Sequence, residues 1–382
     1  MKYRFGSRGV LLASLTFIAI CAITVGAQEG PQSQSSDSVA KPKKPAPDEK
    51  KQAEEPSIPS EFKKPKEAAA PTDVPTFRSE ATTVNVDVAV MDDHNHFIPG
   101  IPKDNFRVLE DGVPQQVSQF GTGEAPITIC MLIEFSGRFQ AYWSYGWYET
   151  LTASYGFLET LKPDDNVAVV AYDMRPTILS DFSPDKRKAE EAMSRLRIPG
   201  FSESNVFDAL TEMADRMSGI EGRKAILLIA TGLDTFSKLT FDKARRSLQE
   251  SGVPIYTVSI LQIARLQAEA RGMSPIANMD FLQADNEMKT FSKETGGLSF
   301  FPRFTGEYPS VFHDIEFALR NQYALAYHPT NTARDGKFRH IKVELVNPEN
   351  NELLRVTNQK TGKPIKYQIV AKAGYKAPRD VE

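Results

Sequence analysis

The strongest constraint on this chain is a set of apolar runs spaced along its middle. Ile127–Ile133, Val167–Tyr172, Ala225–Ala230 and Ile255–Ile260 are dominated by apolar residues, and a shorter run spans Leu298–Phe301. A strand buried on both faces reads this way, because neither face needs polar side chains. Between the runs lie helical patterns. Tyr148, Leu151, Tyr155 and Leu158 recur at helical spacing, as do Val206, Leu210, Met213 and Met217. Phe241, Ala244 and Leu248 mark a further helix, and Ser310–Arg320 another. Ser183-Pro184 reads as a helix start, with Ser as cap and Pro at the first position. Met273 to Asn286 reads as an irregular insertion. Buried strands alternating with amphipathic helices predict a doubly wound, mainly parallel, Rossmann-like α/β sheet over residues 126–320.

On either side the pattern changes to β. Thr82–Val90 alternates apolar and polar residues, as a half-buried strand does. Asp92 to His96 reads as a polar turn in preference to a metal site. Phe106–Glu110 is a second strand, Asp111-Gly112 a hairpin turn, and Val113 to Phe120 the returning strand. Beyond the α/β region, Tyr323–Tyr327, His340–Val346 and Tyr367–Ala371 read as strands. Two arrangements account for these flanks, 77–125 and 321–378: two small β domains, or one β-sandwich with the α/β domain inserted. Each flank is short for a core of its own, which favours the composite β-sandwich-like unit.

The N-terminus carries Lys2, Arg4 and Arg8, then an uncharged apolar run from Val10 to Val25, then Val25-Gly26-Ala27. This predicts a signal peptide over 1–27 cleaved after Ala27, hence an exported protein: periplasmic, cell-surface or secreted. The run falls short of the about 20 residues of a spanning helix, so an uncleaved anchor is the lesser alternative. Residues 28–76 are rich in Pro, Lys, Glu, Ala and Ser, with Ile58 and Phe62 as the large apolar exceptions. That composition predicts a disordered linker. A net charge of −3 on 382 residues gives no reason to expect nucleic acid. Of the two cysteines, Cys21 falls in the segment expected to be removed, so Cys130 is expected as a buried hydrophobe.

The ends of the central strands carry a resemblance. Ile133-Glu134-Phe135-Ser136-Gly137-Arg138 resembles the Asp-x-Ser-x-Ser loop of von Willebrand factor type A domains. Ser202–Leu210 resembles that family's Gly-Gly-Thr-x-x-Tyr-Asp-Ala-Leu segment, and Thr231-Gly232-Leu233-Asp234 its Thr-Asp-Gly-x-Asp loop. Thr295-Gly296-Gly297 matches a late Thr-Gly-Gly element. With Asp104–Gly112 and Ala373-Gly374-Tyr375 added, the chain from Phe77 to Pro378 is similar to the acidobacterial VWFA-related domain proteins. Each motif alone is weak, but their order along the strand–helix alternation is specific.

The resemblance implies a protein-binding domain and a divalent-cation site, the metal-ion-dependent adhesion site. The matching positions are Glu134, Ser136, Arg138, Ser204 and Thr231. They depart from the family's pattern. Glu134 has one methylene too many, Arg138 stands where a hydroxyl ligand belongs, and Thr231 replaces an acid. A unit charge about 4 Å from another costs about 4 kcal/mol at an effective dielectric of about 20, and a divalent ion beside Arg138 would face about twice that. Two main readings follow, with some other ligand as the remainder: a cation site (Mg, Mn or Ca) on Glu134, Ser136, Ser204 and, as a further candidate, Asp234, or a degenerate site in which Arg138 pairs with Glu134 or another acid, stands in for the metal and leaves no cofactor needed. The second is preferred.

Directly after this loop come Phe139, Tyr142, Trp143, Tyr145, Trp147 and Tyr148. With Arg138, the residues Phe139, Tyr142, Trp143 and Tyr145 are candidates for contacting a protein partner, although core or interdomain packing is the slightly favoured alternative for the aromatic residues. Ser136 lacks the Gly-x-Ser-x-Gly elbow and a triad histidine, no P-loop or Gly-x-Gly-x-x-Gly occurs, and no zinc spacing is present. The sequence therefore reads as a non-catalytic recognition or scaffold protein whose partner is another protein, in the cell envelope or outside it. Membrane contact is expected through the N-terminal segment if uncleaved. The competing readings are a hydrolase using Ser136 or a metal, and a purely structural envelope component.

Overall fold

Val84–Asp92 forms β1, a strand whose alternate valines turn inward. The computed structural model describes residues 83–380 except 94–95, 123–124, 138–145, 197–202, 261, 271, 273–274, 356–361 and 363–365. The expected signal peptide and linker lie outside the described residues, as do Arg138, Phe139, Tyr142, Trp143 and Tyr145. The chain continues through β2 (Phe106–Glu110), β3 (Val113–Gln115) and β4 (Val117–Gly121). Asp111 and Gly112 both take positive φ, 47° and 82°, which suits the turn to the right-handed twist of the hairpin. The expected single return strand is two: β3 stays with β2, while β4 crosses to another sheet. The break at Gln116 is a sandwich corner, where one strand changes sheet.

The α/β layers follow. Their strands are β5 (Ile127–Glu134), β6 (Asn166–Tyr172), β7 (Pro176–Ser183), β8 (Arg223–Ala230), β9 (Ile255–Ser259) and β10 (Ser299–Phe300). Their helices are α1 (Gly146–Thr160), α2 (Lys186–Ser194), α3 (Val206–Ser218), α4 (Phe241–Ser251), α5 (Gln262–Ala270), α6 (Pro275–Thr295) and α7 (Tyr308–Arg320). The sheet order is β10-β9-β8-β5-β6-β7, parallel except for antiparallel β7 at the edge. This is the expected doubly wound α/β architecture.

The central strands sort their side chains by pleat. Ile129, Met131 and Ile133 of β5 join one core with Phe157 and Phe312, whose rings meet edge to face at 5.7 Å. Cys130 and Leu132 face the other core, with Leu210, Met213, Leu248 and Phe291. Two buried faces explain the apolar run. Cys130 is fully buried, and burial pushes its thiol up to about 12.

Two local expectations need correction. The segment before α2 is not a helix start at Ser183: Ser183 closes β7, and Asp185 is the cap, its carboxylate accepting from the Arg187 amide at 3.2 Å. Strand β7 is half-buried and antiparallel, so it lacks the apolar run that marks the inner strands. The described part of the expected irregular insertion, from Pro275 to Asn286, is helical: α6 starts at Pro275 and runs for 21 residues. Met279 and Leu282 are exposed, so the first half of that helix shows no apolar stripe.

After α7 come β11 (Tyr323–Tyr327), β12 (Phe338–Leu345), β13 (Tyr367–Ala371) and β14 (Gly374–Lys376). Two antiparallel sheets, β13-β1-β11-β4 and β14-β12-β2-β3, each mix strands from before and after the α/β layers. Val86, Val88, Phe106, Val108, Leu325, Val343 and Leu345 share one core between them. Ala89 and Met91, on the other face of β1, join the α7 core.

Candidate functional site

Strands β5 and β8 are neighbours and parallel, so Glu134 and Thr231 emerge side by side at their carboxyl ends. Ligands of such sheets sit beyond this edge. Glu134 is 2% exposed. One of its oxygens, Oε2, accepts from the Thr231 amide at 2.8 Å and from the Thr231 hydroxyl at 2.7 Å. The other accepts from the Ser136 hydroxyl at 2.9 Å. The Thr231 hydroxyl in turn accepts from the Leu233 amide at 3.2 Å. Burial raises the Glu134 carboxyl above its ordinary value, and the Thr231 and Ser136 donors offset part of that.

The loop after β8 is set by sterics. Gly232 has φ +79°, and a Cβ there would meet Met288 Sδ at 2.4 Å. The loop is then fastened to the segment before α3: Thr235 donates its amide to the Ser204 carbonyl at 2.9 Å, and its hydroxyl accepts from the Ser204 amide at 2.8 Å. Asp208 accepts from the Lys238 and Leu239 amides at 2.9 and 3.0 Å.

The structure thus gathers Glu134, Ser136, Thr231 and Ser204 in one cleft. Asp234 is engaged elsewhere: it accepts from Ser237 Oγ at 2.5 Å and from the Phe207 amide, 3.4 Å away at the start of α3. Burial raises its carboxyl, with Asp208 adding to the effect. Sequence reasoning missed Tyr172 and Thr235. Tyr172 ends β6 opposite Glu134 in register, and burial and the Glu134 charge push its phenol well up. Thr235 has no local signature, because its partner lies 31 positions away.

The cation that the resemblance implies does not fit this arrangement. Both Glu134 oxygens already accept protons from the residues that would be its fellow ligands. The hydroxyls of Ser204 and Tyr172, both buried, offer oxygen but no charge. Among the described residues no three His, Cys, Asp or Glu gather in a metal-holding group. A divalent ion here would meet one carboxylate, itself held toward neutrality. Nor does Ser136 sit as a nucleophile: it has no exposed surface, and its hydroxyl donates to Glu134.

Residues 129–294 match the family model of the von Willebrand factor type A domain. The fold of this region is that of a VWA-like α/β domain with a mostly parallel sheet. Among solved structures, the chain is similar to the vWF domain of the type V pili tip protein Mfa5 from Porphyromonas gingivalis: 13% identity, TM-score 0.38, over 50% of this chain and 94% of that one. It is also similar to the PilB minor pilin from Streptococcus sanguinis: 10% identity, TM-score 0.34, 51% and 61%. Proximal thread matrix protein 1 from the mussel byssus gives 10%, 0.38, 52% and 49%. The chain therefore spans about half of the byssus protein and 61% of the pilin. No curated protein matches it.

Proposed function

We propose that this is an exported, non-catalytic recognition protein that meets another protein through the carboxyl edge of its α/β sheet, without a metal ion. The observation that carries the reading is the Glu134 carboxylate, whose two oxygens are taken by Thr231 and Ser136. With the Glu134 oxygens so engaged, a partner need not offer a carboxylate to a cation there, although the buried Ser204 and Tyr172 hydroxyls have no partner among the described residues. Phe236 supports a recognition edge: it is 64% exposed on the loop that follows Thr231. Arg138, Phe139, Tyr142, Trp143 and Tyr145, which lie outside the described residues, follow the Ser136 loop directly in the sequence and are proposed as further partner contacts. The basic and apolar N-terminus supports export, and among the described residues no helix is long and apolar enough to cross a membrane. The narrower likeness to acidobacterial VWFA-related proteins belongs to the same reading.

The test is a photo-cross-linking residue placed at Phe236 and, as comparison, at Leu353, which is equally exposed on the sandwich side. The full-length chain is irradiated in its native envelope, with and without EDTA. Capture of one discrete protein from position 236, unchanged by EDTA, is expected. Capture from position 353 alone would make the sandwich the working surface, and EDTA-sensitive capture would restore the metal.

A further inference from the structure

A second polar site lies at the opposite end of the parallel sheet from Glu134, where β8 and β9 begin. A cavity of about 540 Å³ opens there between the sandwich and the α/β layers. That volume falls among small-molecule sites, at about 300–1,000 Å³. Asp87 of β1 and Lys372, the residue after β13, both line it. The antiparallel ladder pairs Val88 with Ala371, so Asp87 and Lys372 are the next partners along and share a sheet face. Cross-strand neighbours have Cβ atoms about 5 Å apart, and opposite charges there ordinarily join. These do not join: among the described residues neither side chain makes a hydrogen bond or an ion pair; burial raises the Asp87 carboxyl and lowers the Lys372 ammonium, and each one's charge offsets only part of this for the other.

The other cations nearby, Arg223 and Lys224, also act on Asp87 by their charge, but their hydrogens are committed to backbone carbonyls. Lys224 donates to the Ser218 and Ile220 carbonyls at 2.7 and 2.5 Å. Arg223 donates to the carbonyls of Arg320 and Gln322. Glu221 stands exposed on the lining, and Asn85 adds an exposed amide. The Lys372 backbone is held in place, since the Ala373 amide donates to the Glu294 carbonyl at 2.9 Å. Gly296, φ +88°, closes the gap further: a Cβ there would lie 2.7 Å from the Lys372 nitrogen.

We propose that this cavity binds a small zwitterion, a free amino acid or dipeptide, with its ammonium against Asp87 and its carboxylate against Lys372. A simple anion would satisfy Lys372 but face Asp87, and a simple cation would do the reverse. A molecule carrying both charges satisfies both. Opposite charges held apart on a fixed backbone are prepared for it, so little ordering is needed on binding. The site is independent of the Glu134 cleft and of whatever meets Phe236.

Calorimetric titration of the full-length chain with the common amino acids and a set of dipeptides tests this, with acetate and methylammonium as single-charge probes. At least one zwitterion should bind with a dissociation constant below about 1 mM, and neither single-charge probe should match it. Asp87→Asn and Lys372→Met should each weaken that binding at least about tenfold, and Lys372→Arg should retain it. Circular dichroism and unliganded melting confirm that each variant is folded. The proposal falls if no zwitterion binds, if acetate or methylammonium binds as tightly, or if folded Asp87→Asn and Lys372→Met variants bind as the parent does.

Discussion

Thr231 gives both its amide and its hydroxyl to a single oxygen of Glu134, 97 residues away in the chain. The pairing ties the end of β8 to the end of β5 at the point where this fold class builds its binding edge. Thr231→Val keeps the shape and the amide donor but removes the hydroxyl. The loss of the bond to a buried acid, together with the acceptor of the Leu233 amide, should cost about 2–3 kcal/mol. Urea unfolding of the two proteins measures it, and equal midpoints would show that the hydroxyl contributes nothing.

The same contact bears on metal binding. Mg²⁺, Mn²⁺ and Ca²⁺ should bind no more tightly than about 1 mM, because an ion must first break the Glu134 hydrogen bonds. Calorimetric titration of the full-length chain decides it. Sub-millimolar binding that Ser136→Ala abolishes would overturn the metal-free cleft.

A pH dependence is expected from a buried ion pair at the other end of β5. Asp165 faces the Arg320 guanidinium, with Nη1 at 3.1 Å, and accepts the Ile127 and Lys162 amides at 3.1 and 2.6 Å. Burial alone would raise this carboxyl, but Arg320 and the two amides outweigh it and hold it below 3.8. A depressed folded pKa means that the unfolded chain takes the proton first as pH falls. The stabilisation is therefore full above about pH 4 and is lost as pH falls through the folded value. Asp165→Asn should cost about 2–3 kcal/mol at neutral pH, less than a fully unpaired buried charge, because Glu316 still pairs with the Arg320 guanidinium. Denaturant midpoints from pH 7 down to about pH 3 should show the gap to the parent protein narrowing at the acid end. A gap that stays constant would remove the ion pair as its cause.

The Thr-Gly-Gly element makes a steric prediction. A Cβ on Gly297 would lie 2.0 Å from the Ile255 carbonyl oxygen, a backbone atom within the sheet. Gly297→Ala must move β9 or α6, at a cost of about 3 kcal/mol. Thermal melting reads the effect, and an unchanged melting temperature would mean that the backbone shifts freely there.

The inner strands were legible because both of their faces are buried, which leaves a run of apolar residues with no other explanation. Helices α3 and α4 were legible because each buries a single stripe, Val206 to Met217 on one and Ala244 and Leu248 on the other. Strand β7 and the first half of α6 were not. Both are partly exposed, and a half-exposed segment ending in Ser183-Pro184, or one mixing Met279, Asp280 and Gln283, carries no clear period. At the cleft, Glu134, Ser136, Ser204 and Thr231 could be placed by motif order. Asp234 could be placed too, but not its use, since its hydrogen bonds go to Ser237 and to the start of α3.

The sequence by itself determined the layered α/β centre and its β flanks, because hydrophobic periodicity is a local property that any stretch of chain declares. Only the tertiary structure decided what each polar group does. Whether Glu134 is free for a cation depends on where Thr231 and Ser136 point. Whether Asp87 and Lys372 pair depends on how β1 and β13 meet above a cavity. Those are relations between residues distant in the chain, and a contact of this kind leaves no mark on the residues next to either partner.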